Sequence, residues 1–183
     1  MDFLPNKQAY LQPLSKVSLD DSKTVSLVDT DDILYNFDSI KKYLCKQLQR
    51  REEAASCDGL LERDGTYYLL EFKNQPSKKV DAAQLARKAF QSFHLFRLAF
   101  EQEMSVDESR EHLVLLIIYQ DSEDDVSFEK LRRKVHGLAN MPERDPILFD
   151  LRRVHGKLYR EIYTMPRSEF MADWYPRLFP NHK

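Results

Sequence analysis

The chain has 183 residues, 42% of them apolar and 32% charged, with a formal net charge of −2. That length suits one domain spanning 1–183 with a sizeable core, and the profile excludes a disordered tract or any binding to polyanions driven by global charge. No apolar stretch approaches the length of a membrane span, so no membrane partner is expected.

Two cysteines, Cys45 and Cys57, are too few for a zinc cluster and do not suggest a disulfide framework. The start MDFLPNKQ lacks a basic segment followed by an apolar run. Reduced thiols and a cytoplasmic location are the expectation. Glycines 59, 65, 137 and 156 are too scattered to cradle a phosphate, and no P-loop, Rossmann fingerprint, Gly-x-Ser-x-Gly elbow or His-Glu-x-x-His pair is present.

Taken from the start, residues 1–16, with Pro5 and Pro13, read as an irregular arm. A short strand is expected around Thr24–Val28. Asp29, Asp31 and Asp32 read as acids that cap or precede a helix. Asp38 is the expected N-cap of a helix from Ser39 to about Glu53, with Ile40, Tyr43, Leu44 and Leu48 as its apolar stripe.

The most informative stretch runs from Cys57 to Asn74, CDGLLERDGTYYLLEFKN. Asp64-Gly65 splits two runs that favour β structure, the pattern of a two-residue type I′ hairpin, in which both central residues need φ > 0. Arg63 then faces Thr66, and counting outward sets Asp58 opposite Glu71 on a non-hydrogen-bonded pair. Alternation brings Lys73 out on the face of Glu71. Two adjacent carboxylates repel unless a cation sits between them, and a hard divalent metal is the simplest such cation. Gly59, beside Asp58, fits either a close approach of ligand to backbone or a bulge.

Asp58, then twelve residues, then Glu71-Phe72-Lys73 at the end of an apolar strand resembles the PD-(D/E)XK nuclease superfamily. The motif covers about twenty residues, and the order of elements extends the similarity to about two thirds of the chain. The resemblance implies that Asp58 and Glu71 hold Mg²⁺ or Mn²⁺. It also implies that Lys73 orients or activates the attacking water and stabilises charge on the scissile phosphate. Cys57 stands where the name-giving proline would be. A further acid sometimes comes from the first helix, where Glu52 and Glu53 are the candidates by proximity. A Gln or Lys facing the site commonly follows on the next helix, which singles out Gln84 and Lys88. A solvated helix face accounts for those two residues as well.

Beyond the hairpin, NQPSKK breaks the strand and adds Lys78 and Lys79 as candidate contacts to nucleic acid. The longest helix is expected from Asp81 to about Glu103. Ala82, Leu85, Ala86, Ala89, Phe93, Phe96 and Phe100 face the sheet, with Gln84, Lys88 and Gln91 on the opposite side. EMSVDESRE reads as a charged turn, and His112–Tyr119 as a strand covered on both faces. A helix from about Val126 to Ala139 carries Lys130, Arg132, Arg133 and Lys134 outward, a basic cluster that could track a phosphate backbone or simply meet solvent. Ile147–Phe149 reads as a short strand and Leu158–Tyr163 as an edge strand. Ser168 is the expected N-cap of a last helix from Glu169 to about Leu178.

The expected fold is α/β (α+β): a central mixed sheet flanked by helices, ordered helix–hairpin–helix–strand, with an extra C-terminal strand and helix. This is the restriction-endonuclease-like core. The expected function is Mg²⁺-dependent hydrolysis of phosphodiester bonds, DNA favoured. The alternative is a non-catalytic nucleic-acid- or protein-binding regulatory module on the same fold, acting as a homodimer or with a partner protein. The five dispersed histidines support no metal-free histidine mechanism.

Overall fold

A computed structural model describes residues 4, 6–20, 22, 24–50, 54–100, 104–122 and 147–180. Six strands form one mixed sheet: β1 (Leu11–Pro13), β2 (Ile33–Asn36), β3 (Gly59–Arg63), β4 (Thr66–Lys73), β5 (Leu113–Tyr119) and β6 (Glu161–Pro166). They lie side by side in chain order. The first three junctions are antiparallel; β4–β5 and β5–β6 are parallel. The chain is thus a mixed α/β structure whose sheet is flanked by helices.

Hydrophobic alternation builds a core on each face. On one face, Leu60, Leu69, Leu115 and Ile117 pack with α2 (Phe37–Gln47) and α3 (Ala82–Phe100), which bury Ile40, Leu44, Leu85, Phe93 and Phe96. Tyr67 meets Phe96 edge-on, with ring centroids 4.9 Å apart. On the other face, Leu34, Leu70, Phe72, Leu116 and Ile118 meet Leu14, Val17, Leu27, Val28, Phe170 and Leu178. All seven residues of β5 are buried, as expected of a strand covered on both sides.

The hairpin forms as the sequence predicts. Asp64 and Gly65 take φ of 50° and 72°, and Arg63 pairs with Thr66. Regular pairing stops at Gly59–Leu70, one step short of the expected Asp58–Glu71 pair. The Asp58 N–H donates to the Leu70 carbonyl at 3.0 Å, and the Asp58 carboxylate accepts the Phe72 N–H at 2.7 Å. A side chain therefore replaces the last rung of the ladder.

Several other expectations are corrected. Residues 11–17 are not an irregular arm: β1 adds to β2, and α1 (Leu14–Val17) buries Leu14 and Val17. Thr24–Val28 forms no strand, and only an isolated Leu19–Ser26 bridge closes that loop. Asp29, Asp31 and Asp32 precede β2 rather than a helix, and Asp32 accepts a hydrogen bond from the Tyr175 hydroxyl.

The N-cap of α2 is Asn36, whose side chain accepts the Ser39 N–H at 2.8 Å, the stronger local solution. Asp38 falls in the first turn, where its charge complements the helix dipole and pairs with Lys41 and Lys42. The helix ends at Gln47, well before Glu53, with Gln49 at positive φ.

The charged turn contains α4 (Val106–Glu111), started by a Ser105–Glu108 capping box. Ile147–Phe149 is no strand: Phe149 and Asp150 turn the chain at positive φ, and the Leu148 N–H bonds the Thr164 hydroxyl. The edge strand runs to Pro166, and the closing helix begins at Arg167, with Ser168 inside it and a π-helical turn over Phe170–Trp174. The expected helix over Val126–Ala139 lies outside the described residues. Among those described, no helix is long and apolar enough to cross a membrane.

Candidate functional site

Glu71 sits in β4 between β3 and β5, and its side chain is 0% exposed. Strand alternation sets Leu70 and Phe72 into one core and turns Glu71 and Lys73 toward α3. Asp58 is fixed by three backbone ties: its N–H to Leu70, its carbonyl accepting the Phe37 N–H at 2.9 Å, and its carboxylate on Phe72. The segment ahead of it is held to α3, where Ser92 accepts the Cys57 N–H at 2.7 Å and Gln91 accepts the Ala55 N–H.

Helix α3 supplies the remaining groups. Asp81 accepts the N–H groups of Ala83 and Gln84, fixing the first turn. Gln84 and Lys88, one helical turn apart, both reach the hairpin. Lys88 Nζ is 2.7 Å from Glu71 Oε1 and 3.5 Å from Asp58 Oδ1. Lys73 Nζ is 3.0 Å from the same Glu71 oxygen and donates to Gln84 Oε1 at 3.2 Å. Glu71 Oε2 is buried with no hydrogen-bond partner. The stripe of Gln84, Lys88 and Gln91 is therefore not on the far side of the helix, as expected from spacing; it borders the sheet-facing stripe, with Gln84 and Lys88 spent on the hairpin and its site and Gln91 on the segment ahead of it.

Burial, and then the Glu71 charge, push the Asp58 carboxyl up to about 7, against the pull of Lys88, the Phe72 N–H and Lys73. Burial opposes the charge on Lys88, but Asp58 and Glu71 outweigh it and hold the ammonium above its ordinary value. The buried Cys57 thiol, in the proline position of the motif, is pushed up by burial and by Glu71. It is a poor nucleophile and packs as a small apolar group.

The cluster opens into a polar cavity of about 310 Å³. Asp58, Lys73, Gln84 and Lys88 form one wall, and Leu19, Asp20 and Ser22 face them from the loop between α1 and β2. That loop is clamped by Asn74, whose amide donates to the Val25 carbonyl at 2.7 Å. The Ser22 hydroxyl and the N–H groups of Thr24 and Val25 hold the Asp20 carboxyl below its usual range. Sequence reasoning missed this loop. Its trace is the D-x-S-x-T spacing of Asp20, Ser22 and Thr24, a pattern of side-chain-capped turns.

The other expected contacts lie apart. Lys78 and Lys79 are exposed in a 3₁₀ turn, outside the residues that line the cavity. Glu53, Arg132 and Arg133 lie outside the described residues. At the start of β5 the Arg160 N–H bonds the Leu113 carbonyl. Lys73 pairs with Tyr119 at the other end of that strand. Among the described residues, no group of three or more His, Cys, Asp or Glu side chains is placed to hold a metal. Comparisons with protein-family models, curated proteins and solved structures find no match to this chain.

Proposed function

We propose that this chain carries a restriction-endonuclease-like core of the PD-(D/E)XK type and hydrolyses phosphodiester bonds of nucleic acid, DNA favoured, with Mg²⁺ or Mn²⁺. One observation supports the reading above the others. Asp58, Glu71, Lys73, Gln84 and Lys88, separated by up to thirty positions, converge at the end of β4 beside a polar cavity.

The donor set suits a hard cation. Glu71 Oε2 is a buried acceptor without a donor, and both lysines approach the other oxygen, Oε1. Mg²⁺ is commonly held by one or two carboxylates, with water and substrate phosphate completing its shell. Asp58 and Glu71 would hold it, and when bound it would polarise the phosphate and make a water more acidic.

In this mechanism Lys73, steadied by Gln84, orients the attacking water through its ammonium and offsets charge that develops on the phosphate. The loop carrying Asp20 and Ser22 closes one side of the cavity and limits how substrate enters.

Cleavage of linear, circular and single-stranded DNA and RNA, with Mg²⁺, Mn²⁺ or EDTA, tests the proposal. Asp58→Ala and Lys73→Ala should each lower metal-dependent cleavage by about 10²-fold or more. Intact cleavage in Lys73→Ala would disprove the assigned role.

A second reading has its own support. The two carboxylates are already matched by two ammonium groups at 2.7–3.5 Å, a neutral arrangement that needs no metal to persist. On that reading the fold serves as a binding module. Binding of nucleic acid or a partner protein that is unchanged in Asp58→Ala, with no turnover, would favour it.

A further inference from the structure

Lys88 stands where an incoming cation has to bind. Its single ammonium bridges both carboxylates, 2.7 Å from Glu71 Oε1 and 3.5 Å from Asp58 Oδ1. Lys73 is held differently. Its Nζ shares Glu71 Oε1 at 3.0 Å but also donates to Gln84 at 3.2 Å, so a second partner keeps it in place. Among the described residues the bonds of Lys88 go to the two carboxylates, and its flexible stem rises from α3 at the wall of the 310 Å³ cavity.

We propose that Lys88 is a tethered counter-ion which a divalent metal must displace, and that a phosphodiester in the adjoining cavity receives it, so that metal and substrate load together. The inference rests on the metal reading of Asp58 and Glu71 given above.

The physical argument is one of like charges. A divalent ion on Asp58 and Glu71 would sit within a few ångströms of the Lys88 ammonium, and repulsion at that range in a partly buried site is strong. Without an anion nearby, the displaced ammonium loses both partners and gains only water. With a phosphate in the cavity, it exchanges carboxylate oxygens for phosphate oxygens. Each ligand then strengthens the other by the same factor, as linkage requires, and factors of about 5 to 150 are typical of such coupling. A protein built this way binds metal more weakly when no substrate is present.

The test uses the full chain and reads Mn²⁺ binding by paramagnetic resonance, with and without a dinucleotide, dTpT, whose phosphorothioate resists cleavage. Wild type should bind Mn²⁺ at least about fivefold more tightly with the dinucleotide than without it. Lys88→Met, which keeps the stem and removes the charge, should bind Mn²⁺ alone at least about tenfold more tightly than wild type, with the coupling lost. Lys88→Gln provides the same comparison if the methionine variant does not fold. Lys73→Met should keep the coupling.

The proposal is overturned if neither Lys88 variant binds Mn²⁺ more tightly than wild type, or if Lys73→Met abolishes the coupling equally. Mn²⁺ binding that survives in Asp58→Ala would instead overturn the metal reading itself. Absence of Mn²⁺ binding in wild type with dinucleotide and in both Lys88 variants would overturn both.

Discussion

Asp58 is asked to do two opposed things. Its backbone and one carboxylate oxygen complete the sheet, and its half-buried charge stands beside that of Glu71. Folding raises its pKa from 3.8 to about 7. The folded protein therefore holds the Asp58 proton more tightly than the unfolded chain does. The cost is absent below about pH 4 and grows as pH rises toward 7, so this residue lowers stability at neutral pH. Asp58→Asn keeps an acceptor for the Phe72 N–H and removes the charge. In EDTA at pH 8 the variant should be more stable than wild type, by about 1.4 kcal/mol for each unit of the shift that is relieved. The gain should vanish near pH 4. Chemical denaturation at both pH values measures it, and a difference that does not change with pH would rule the account out. A residue that lowers stability at neutral pH yet lines the polar cavity fits a role in binding better than one in architecture.

At the scale of elements, the hairpin and α3 are the parts that set the site, and Gly59 is where they are least tolerant. A Cβ at Gly59 would meet Leu34 Cδ1 at 2.6 Å and Val17 Cγ1 at 3.1 Å. The glycine thus serves close packing of β3 on its neighbours, not the approach of a ligand or a bulge. Gly59→Ala should cost about 1–3 kcal/mol through overpacking and, by shifting the strand next to Asp58, weaken the proposed Mn²⁺ binding as well. Urea melts and metal titration of one preparation would show both effects; a neutral outcome in the melt would mean that Leu34 yields freely. These elements were readable in advance because their signals are local. Asp64-Gly65 fixes register, the apolar run 113–119 announces a doubly covered strand, and the spacing of Leu85, Ala89, Phe93 and Phe96 announces a helix. The misses have physical causes too. Asn36 displaced Asp38 as a cap because β2 runs directly into α2. The charged string at 105–111 hid a helix whose capping box outweighs its lack of an apolar stripe. The cavity loop that carries Asp20 and Ser22 is shaped by hydrogen bonds to Asp20 that carry no hydrophobic period.

For the molecule as a whole, β5 is the seam between two cores. Leu115 and Ile117 face α2 and α3, while Leu116 and Ile118 face α1 and the closing helix. Leu115→Ala and Leu116→Ala should each cost about 2–5 kcal/mol, since each leaves a cavity in a fully buried layer. Because one strand serves both cores, each variant should melt in a single transition seen alike by far-ultraviolet circular dichroism and by Trp174 fluorescence. Separate transitions would mean that the two layers are independent. The charged cluster belongs to this same seam: the buried Glu71 lies directly beside Ile117 of β5.

The six strands occupy the sheet in the order in which the chain presents them. A ribosome releases about 5–20 residues each second, so every new strand emerges to find its neighbour already formed and its edge open. Asp58, Glu71, Lys73, Gln84 and Lys88 all precede β5 by 25 positions or more, so they leave the tunnel before it does. For a second or more of synthesis, the two carboxylates and two ammonium groups can sort themselves in contact with water, where mispairing is cheap to undo. Only then does the arrival of β5 close over the arrangement that remains.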